Sequence, residues 1–211
     1  MNHFRQISLL AILTAVVGLN FNTSRAWATD SCIAHSVSLH LQGRFTPEGA
    51  WAKETRLKLE KALNRAPLLQ MEVQPGRPMI EYPGKHSTIA VIYESGTKLG
   101  SLDYYIDRDV LIINRMTVDS NHRRIGLGST LFEEVIRLNP QIKQIRTVLA
   151  EDNDSVLYAA INRGKNVEAA ILETPAYKIR ARLGFTRIVP GSVRDVSWDG
   201  SGPYQFAVER P

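Results

Sequence analysis

The sequence lacks the features that mark several protein classes. Its 211 residues include one cysteine, Cys32, so no intramolecular disulfide can form. Lysine and arginine outnumber aspartate and glutamate by 26 to 21, an excess too small and too dispersed to argue for a nucleic-acid-binding surface. The composition that remains, 44% apolar and 22% charged, is that of an ordinary globular domain and does not indicate disorder.

The first 28 residues have the pattern of a secretory signal peptide. Arg5 gives a positive start, residues 7–19 are mostly apolar, and Ala26-Trp27-Ala28 has the small-x-small form of a cleavage site. The apolar segment is shorter than the about 20 residues that a membrane-spanning helix needs. We therefore predict a signal peptide over 1–28 and an exported single domain over 29–211. A membrane-anchored or cytoplasmic protein is the alternative.

Hydrophobic periodicity predicts a mixture of strands and helices along the mature chain. Strands are predicted at 37–41, 88–93, 99–106, 110–118, 145–150, 185–189 and 204–209. Helices are predicted at 47–64 with Thr46 as N-cap, from about 126–129 to 138, at 155–162, at 167–173, and from Thr174 to Gly184. The proline-rich segment 68–85 reads as an irregular connector with at most a short strand or turn, and 191–203 as a polar hairpin loop.

Residues 116–138 are the segment around which this domain is organised. A β-branched strand ends at Val118, and an amphipathic helix follows whose buried face is predicted to exclude Glu133, Glu134 and Arg137. Between strand and helix lies the spacing Arg123-x-x-Gly126-x-Gly128. Glycine permits a ligand to approach the backbone closely, and the unpaired amides of a first helical turn carry positive partial charge. The pattern therefore indicates a phosphate-binding turn.

Two other interpretations of this spacing are open. The first is a strand-to-helix turn with two convenient glycines and no ligand. The second is a dinucleotide-binding turn, which fits less well because its fingerprint has a third glycine and places the first glycine directly after the strand.

The pattern Val118-x-x-x-x-Arg123-x-x-Gly126-x-Gly128 resembles the acyl-CoA pyrophosphate loop of the GNAT superfamily of N-acyltransferases. Asn153 and Leu183-Gly184-Phe185 are similar to two later signatures of that family, although about 20 residues are inserted before the second. The resemblance covers nearly the whole mature chain. It implies an α/β (α+β) fold with a mixed, mainly antiparallel sheet, a splayed strand pair and flanking helices.

The resemblance also implies a site for acetyl-CoA or another acyl-CoA as co-substrate, with no metal. The backbones of Met116 and Val118 would bind the pantetheine, and Asn153 would lie beside it. The pyrophosphate would be held near Arg123 by the amides of the residues that follow it, namely Arg124, Ile125, Gly126, Leu127, Gly128 and Ser129. The acyl group would pass to an amine by direct attack, and the acceptor, a small molecule or a protein, is not specified.

The catalytic groups depart from the family pattern. In many relatives a tyrosine four residues before the signature glycine protonates the leaving thiolate, and here that position is Arg180. An arginine would stabilise a thiolate without donating a proton, because its pKa is about 12 or higher. Tyr177, one turn earlier, and Tyr158 are the alternative acids. Glu94, near the end of a central strand, and Glu151 are the candidate bases.

Two functions therefore remain open from the sequence. The first is an exported N-acyltransferase, for which an effector that meets acyl-CoA inside another cell would reconcile export with a cytoplasmic co-substrate. The second is a secreted GNAT-like binding or interaction module without transfer, which the missing tyrosine and the insertion favour. The intact loop with both Gly126 and Gly128 favours the enzyme.

Overall fold

The computed structural model describes residues 43–80, 83–149, 153–197 and 203–211, all within the unit Gln42–Pro211. The predicted signal peptide, the predicted strand at 37–41 and Glu151 lie outside these residues. The strands are β1 Arg44–Phe45, β2 Leu69–Pro78, β3 His86–Glu94, β4 Thr97–Asp107, β5 Val110–Val118, β6 Gln144–Val148, β7 Arg187–Ile188, β8 Arg194–Asp195 and β9 Tyr204–Glu209. The helices are α1 Ala50–Leu63, α2 Leu127–Leu138, α3 Asp154–Asn162, α4 Val167–Ile171 and α5 Pro175–Arg182.

The strands form one mixed sheet in the order β1-β2-β3-β4-β5-β6-β9-β7, with β8 also paired to β9. Every neighbouring pair is antiparallel except β5 and β6, which are parallel and are joined through α2. A crossover through a helix is the usual way to bring two strands parallel. This arrangement confirms the predicted α/β fold with a mainly antiparallel sheet and flanking helices.

Helix α2 is the central packing element of the fold. It contacts β3, β4 and β5 of the sheet and also contacts α1. Its apolar residues Leu127, Leu131 and Val135 are at most 1% exposed, as their spacing predicts. The helix that follows the predicted phosphate-binding turn is therefore anchored in the hydrophobic core, which fixes the position of its N-terminus.

The segment 68–85 corrects the prediction of an irregular connector, because most of it is the ten-residue strand β2. Leu69 and Met71 are buried and alternate with less buried neighbours. Within the described residues, β1 pairs with β2 only at Met71 and Glu72, and proline is compatible with a strand wherever its missing N–H is not needed by a neighbouring strand. The pairing with β3 shifts register between Pro75 and Pro78.

The first helix begins later than its sequence signals indicate. Its N-cap is Gly49 and its first residue is Ala50, whereas Thr46 and Pro47 lie before it, outside any helix or strand. The three helices predicted between Asn153 and Gly184 are present as α3, α4 and α5. The predicted loop 191–203 contains the short strand β8. Among the described residues, no helix has the length and apolar character needed to cross a membrane.

Candidate functional site

The candidate site begins where β5 and β6 separate. Their parallel pairing runs from Val110 opposite Gln144 to Ile113 opposite Thr147, and the described part of β6 offers no partner to the rest of β5. The register between β4 and β5 shifts at Asn114, which makes it a bulge residue. A strand edge that is left unpaired presents backbone donors and acceptors. The splayed pair that the resemblance implied is therefore present, and it opens along Asn114–Val118.

The turn after β5 is held in shape by short local hydrogen bonds. The amide of Asp119 donates to Leu99 O at 2.8 Å, and the carboxylate of Asp119 accepts from the amide of Asn121 at 3.0 Å. His122 Nδ1 lies 2.7 Å from the same carboxylate, and this bond is the main reason that the pKa of Asp119 is lowered. Arg124 then adopts a left-handed conformation, with φ of 66°. Left-handed residues in such turns direct successive amides into a concavity suited to an anion.

The N-terminus of α2 has no side-chain cap among the described residues. Gly126 is the N-cap residue, and the first hydrogen bond of the helix runs from Thr130 N to Gly126 O at 2.9 Å. The amides of 127–129 precede that bond and have no partner within the helix. These are three of the amides that the sequence predicted for the pyrophosphate.

The two glycines of the turn serve different purposes. A Cβ on Gly126, whose φ is 105°, would lie 2.6 Å from Oγ1 of the buried Thr55 on α1. A Cβ on Gly128 would meet only the tip of the Met116 side chain, at 3.3 Å from its sulfur. Gly126 therefore permits α1 and α2 to pack closely, whereas Gly128 faces the half-exposed Met116 of β5. The second contact brings the split strand and the phosphate turn together.

Asn153 is partly committed to a structural bond. Its Oδ1 accepts from the amide of Ala176 at 2.9 Å, next to the bond that Thr174 Oγ1 accepts from Tyr177 N at 3.2 Å. Two side chains thus cap the N-terminus of α5, one from its own sequence and one from the start of α3. A contact of Asn153 with pantetheine stays a prediction.

The predicted catalytic residues do not form one cluster. Arg180 is 3% exposed, and its guanidinium lies over the rings of Phe132 and Phe206, at 4.9 and 5.6 Å from their centres. Burial lowers the pKa of Arg180 to about 9. The hydroxyl of Tyr177 instead donates to Thr186 O at 2.8 Å. Tyr177 borders a groove of about 440 Å³ whose other walls are Asn166, Glu168, Ala169, Leu172, Thr186, Arg187 and Ile188.

Glu94 is held in contacts that make it a weak base. Its two carboxylate oxygens lie 2.6 and 2.8 Å from the guanidinium of Arg65, and Ser95 Oγ donates to it at 2.8 Å. The Arg65 bond is the main reason that the pKa of Glu94 falls to about 2. A carboxylate so acidic has little tendency to take a proton from an amine at neutral pH. These contacts count against Glu94 as the general base, although the assignment stays a prediction.

Comparison with known proteins decides the family. Residues 57–160, from α1 to α3 and about half of the chain, match the sequence model of the Acetyltransferase (GNAT) family. The chain belongs to the GNAT superfamily. It is accordingly an acyl-CoA-dependent N-acyltransferase. The GNAT match covers the split strands and the predicted phosphate turn, and it ends before α4 and α5. No curated protein matches the sequence.

Solved structures similar to this GNAT chain include three from bacteria. The ribosomal-protein-S18-alanine N-acetyltransferase from Escherichia coli is 17% identical, with a TM-score of 0.39, over 61% of this chain and 70% of that one. The diaminobutyrate acetyltransferase EctA from Paenibacillus lautus, in complex with its substrate and coenzyme A, is 16% identical, with a TM-score of 0.37, over 57% of this chain and 69% of that one. The protein AQ1966 of unknown function from Aquifex aeolicus is 15% identical, with a TM-score of 0.40, over 74% of this chain and 78% of that one. At these similarities we draw nothing from them about substrate.

Sequence reasoning missed a pair of carboxylates on α2 that hold the start of α1. Glu134 was placed outside the buried face of α2, yet it is fully buried and accepts from the amides of Glu48 and Gly49 at 2.8 and 2.7 Å. Glu133 accepts from the first two amides of α1 at 2.9 and 2.8 Å. Helix α2 thus caps α1 with two of its own side chains. The spacing of residues along α2 does not reveal this role, because the amides that satisfy the buried carboxylate belong to a distant segment of the chain.

Within the described ranges, no group of three or more histidine, cysteine, aspartate or glutamate side chains is arranged to hold a metal ion.

Proposed function

We propose that the chain transfers an acyl group, most simply acetyl, from acyl-CoA to an amine by direct attack on the thioester, with the phosphate turn and the split of β5 as the donor site. One observation carries the proposal. The side chain of Met116, on the split part of β5, meets the face of Gly128 in the first turn of α2. A ligand with an anionic end and an amide-bearing arm fits this junction, because helical amides and strand-edge groups lie side by side there.

The donor would be held mainly by backbone groups. The amides of 127–129 would bind the pyrophosphate, since the helix N-terminus carries positive partial charge and no described side chain caps it. Arg123 would add a positive charge nearby. The pantetheine amides would pair with the free edge of β5 around Met116 and Val118. Backbone groups on a rigid sheet hold the thioester in place, which is how positioning lowers the barrier of a two-substrate reaction.

The chemical step would be a direct transfer with no enzyme-bound acyl group. The lone pair of a neutral amine attacks the thioester carbonyl carbon, a C–N bond forms and the C–S bond breaks. The sulfur leaves with the electron pair as thiolate, and the amine nitrogen releases one proton. The products are an amide, CoA and that proton, so no oxidant or reductant is needed.

The donor-site test uses Gly128→Asp beside its neutral match Gly128→Asn. A side chain at this position meets only the Met116 tip, so both variants should fold. The aspartate places a negative charge in the first turn of α2, which should stabilise the helix by about 0.3–1 kcal/mol. The same negative charge would repel the pyrophosphate of acyl-CoA from the amides of 127–129.

Calorimetry with acetyl-CoA is the measurement. We expect the wild type to bind, Gly128→Asn to bind more weakly, and Gly128→Asp to lose at least tenfold more than Gly128→Asn while its melting temperature does not fall. Equal affinities of the two variants would mean that phosphate is bound elsewhere. A folded wild type that binds no acetyl-CoA would refute the transferase and leave the secreted interaction module as the better account.

We also propose that the mature chain is exported after removal of residues 1–28, and that it acts on its amine as an effector where acyl-CoA is present. The support is the pattern of Arg5, the apolar segment 7–19 and Ala26-Trp27-Ala28. N-terminal sequencing of protein from the culture medium and from the cell tests it. A mature N-terminus at Thr29 outside the cytoplasm is the expected result. A chain that retains residues 1–28 in the membrane or cytoplasm would refute export.

A further inference from the structure

Arg180 has an unusual environment for a charged side chain. It lies on α5 with 3% of its surface exposed, and within the described part of the chain its one hydrogen bond is from Nη1 to the carbonyl oxygen of Ala176 in the same helix. Its Nε is buried and has no acceptor among the described residues. The rest of its surroundings are the aromatic rings of Phe132 and Phe206. Among the described residues, no carboxylate forms an ion pair with this guanidinium.

Other arginines of the fold are treated differently. Arg137 pairs with the buried Glu134 at 2.7 Å, and Arg65 forms a two-oxygen pair with Glu94. Burying a charge is costly unless an opposite charge or a full set of hydrogen bonds compensates for it. The rings compensate only in part through cation–π attraction. Arg180 is therefore a buried cation whose counter-charge the described residues do not supply.

The location of this cation relates it to the donor site. Phe132 stands one turn after Gly128 on α2, the helix that begins at the phosphate turn. Phe206 stands opposite Thr147 in the pairing of β6 with β9, and Thr147 is the last β6 residue that pairs with β5. The guanidinium thus lies against a residue of the helix that follows the turn and against a residue of β9 whose β6 partner, Thr147, is where the pairing of β6 with β5 ends.

We propose that Arg180 supplies the positive charge that stabilises the departing CoA thiolate, so that the sulfur leaves as an anion without being protonated by a tyrosine. This inference rests on the proposed acyl transfer. In that reaction the pyrophosphate lies at the start of α2, and the negative charge created at the split is the thiolate. As the C–S bond breaks, the electron pair stays on sulfur beside the guanidinium, while the amine proton passes to solvent. A fixed charge in a dry site is an effective stabiliser of such a developing anion.

Three substitutions separate the charge from the packing. Arg180→Gln removes the charge and keeps hydrogen-bonding capacity, Arg180→Met keeps an apolar chain between the two rings, and Arg180→Lys keeps the charge without the planar fork. We expect kcat to fall about 10²–10³-fold in the glutamine and methionine variants. The lysine variant should lie between them and the wild type. The KM for acetyl-CoA should change little, because the thiolate is absent from the ground state.

A second readout does not depend on turnover. The thiol of CoA bound to the protein can be titrated by the ultraviolet absorbance of its thiolate. We expect the wild type to lower the pKa of the bound thiol relative to free CoA, and Arg180→Met to abolish that lowering while still binding CoA. Arg180→Lys should retain part of it. Equal thiol pKa values in the wild type and Arg180→Met would overturn the proposal.

Stability gives the third readout and distinguishes a catalytic from a structural arginine. Replacing an uncompensated buried charge by an apolar side chain of similar length is often neutral or stabilising. We therefore expect Arg180→Met to melt at the same temperature as the wild type or higher, despite its loss of kcat. A large fall in melting temperature, with kcat per folded molecule unchanged, would show that Arg180 serves packing alone.

The outcomes separate this inference from the proposed function. If the wild type neither binds nor turns over acetyl-CoA, the acyl transfer itself is wrong. If the wild type turns over and Arg180→Gln and Arg180→Met match its kcat, acyl transfer stands and the role of Arg180 is refuted.

Discussion

Gly126 provides a quantitative test of how the phosphate turn is held in the fold. Its φ of 105° is one that L-residues rarely adopt, and an added Cβ would lie 2.6 Å from Thr55 Oγ1. Thr55 is fully buried, and its hydroxyl bonds Thr130 Oγ1 at 3.0 Å, so it has no open space into which to move. We predict that Gly126→Ala is strongly destabilising.

The magnitude has two parts. Backbone strain at such a φ costs about 1–3 kcal/mol. Overpacking at a well-packed contact costs about 1–3 kcal/mol more. The sum is about 2–6 kcal/mol, a large fraction of the stability of a typical domain. Gly164→Ala is the matched control, because Gly164 also has positive φ, 87°, but nothing lies within 4 Å of its added Cβ. The control should show the strain part alone.

A double-mutant cycle with Thr55→Ala isolates the contact. Truncating Thr55 leaves its Cβ 3.8 Å from the new methyl group, an ordinary van der Waals distance. Thr130 Oγ1 keeps its bond to Gly126 O at 3.2 Å, so no buried hydroxyl is left unsatisfied. We therefore expect the cost of Gly126→Ala to fall by about 1–3 kcal/mol in the Thr55→Ala background.

Urea unfolding followed by circular dichroism supplies the free energy of unfolding of the four proteins of the cycle and of Gly164→Ala. The comparison requires that this free energy falls with urea concentration at the same rate in each protein. Additive effects of Gly126→Ala and Thr55→Ala would refute the contact between α1 and the turn. A Gly126→Ala protein no less stable than Gly164→Ala would refute the clash with Thr55, and a Gly164→Ala protein as stable as the wild type would refute the reasoning from φ.

Two further predictions concern carboxylates. Glu134→Gln should lower the free energy of unfolding by about 2–3 kcal/mol, because the buried carboxylate holds the start of α1 and Arg137. The control Glu54→Gln, in the exposed pair with Lys58, should cost less than about 1 kcal/mol in the same urea experiment. Equal costs of the two substitutions would refute the capping role of Glu134. The pKa of Glu94 is lowered to about 2, so its contribution is present above the unfolded-state pKa of about 4.3 and is lost as pH falls toward 2. The stability difference between the wild type and Glu94→Gln should therefore be constant above about pH 5 and shrink below it, and a difference that does not depend on pH would refute the Arg65 ion pair.

The sequence determined much of the fold because local signals were strong. Apolar, β-branched runs and the short turns between them located β3, β4 and β5, and the spacing of Leu127, Leu131 and Val135 identified the buried face of α2. The spacing of Gly126 and Gly128 located the phosphate turn and, with Val118 and Arg123, the family. These features depend on residues near one another in the chain, so periodicity and turn chemistry are enough to find them.

Only the tertiary structure decided how distant segments satisfy one another. Strand β2 forms despite its prolines because it pairs with β3 from Leu69 to Pro78, a partner that its own sequence does not reveal. Glu134 is buried because α1, more than 80 residues away, brings its amides to it. Gly126 is required by Thr55, and Arg180 is buried against two aromatic rings. Burial, hydrogen-bond satisfaction and charge compensation depend on the three-dimensional neighbourhood, which spacing along the chain does not encode.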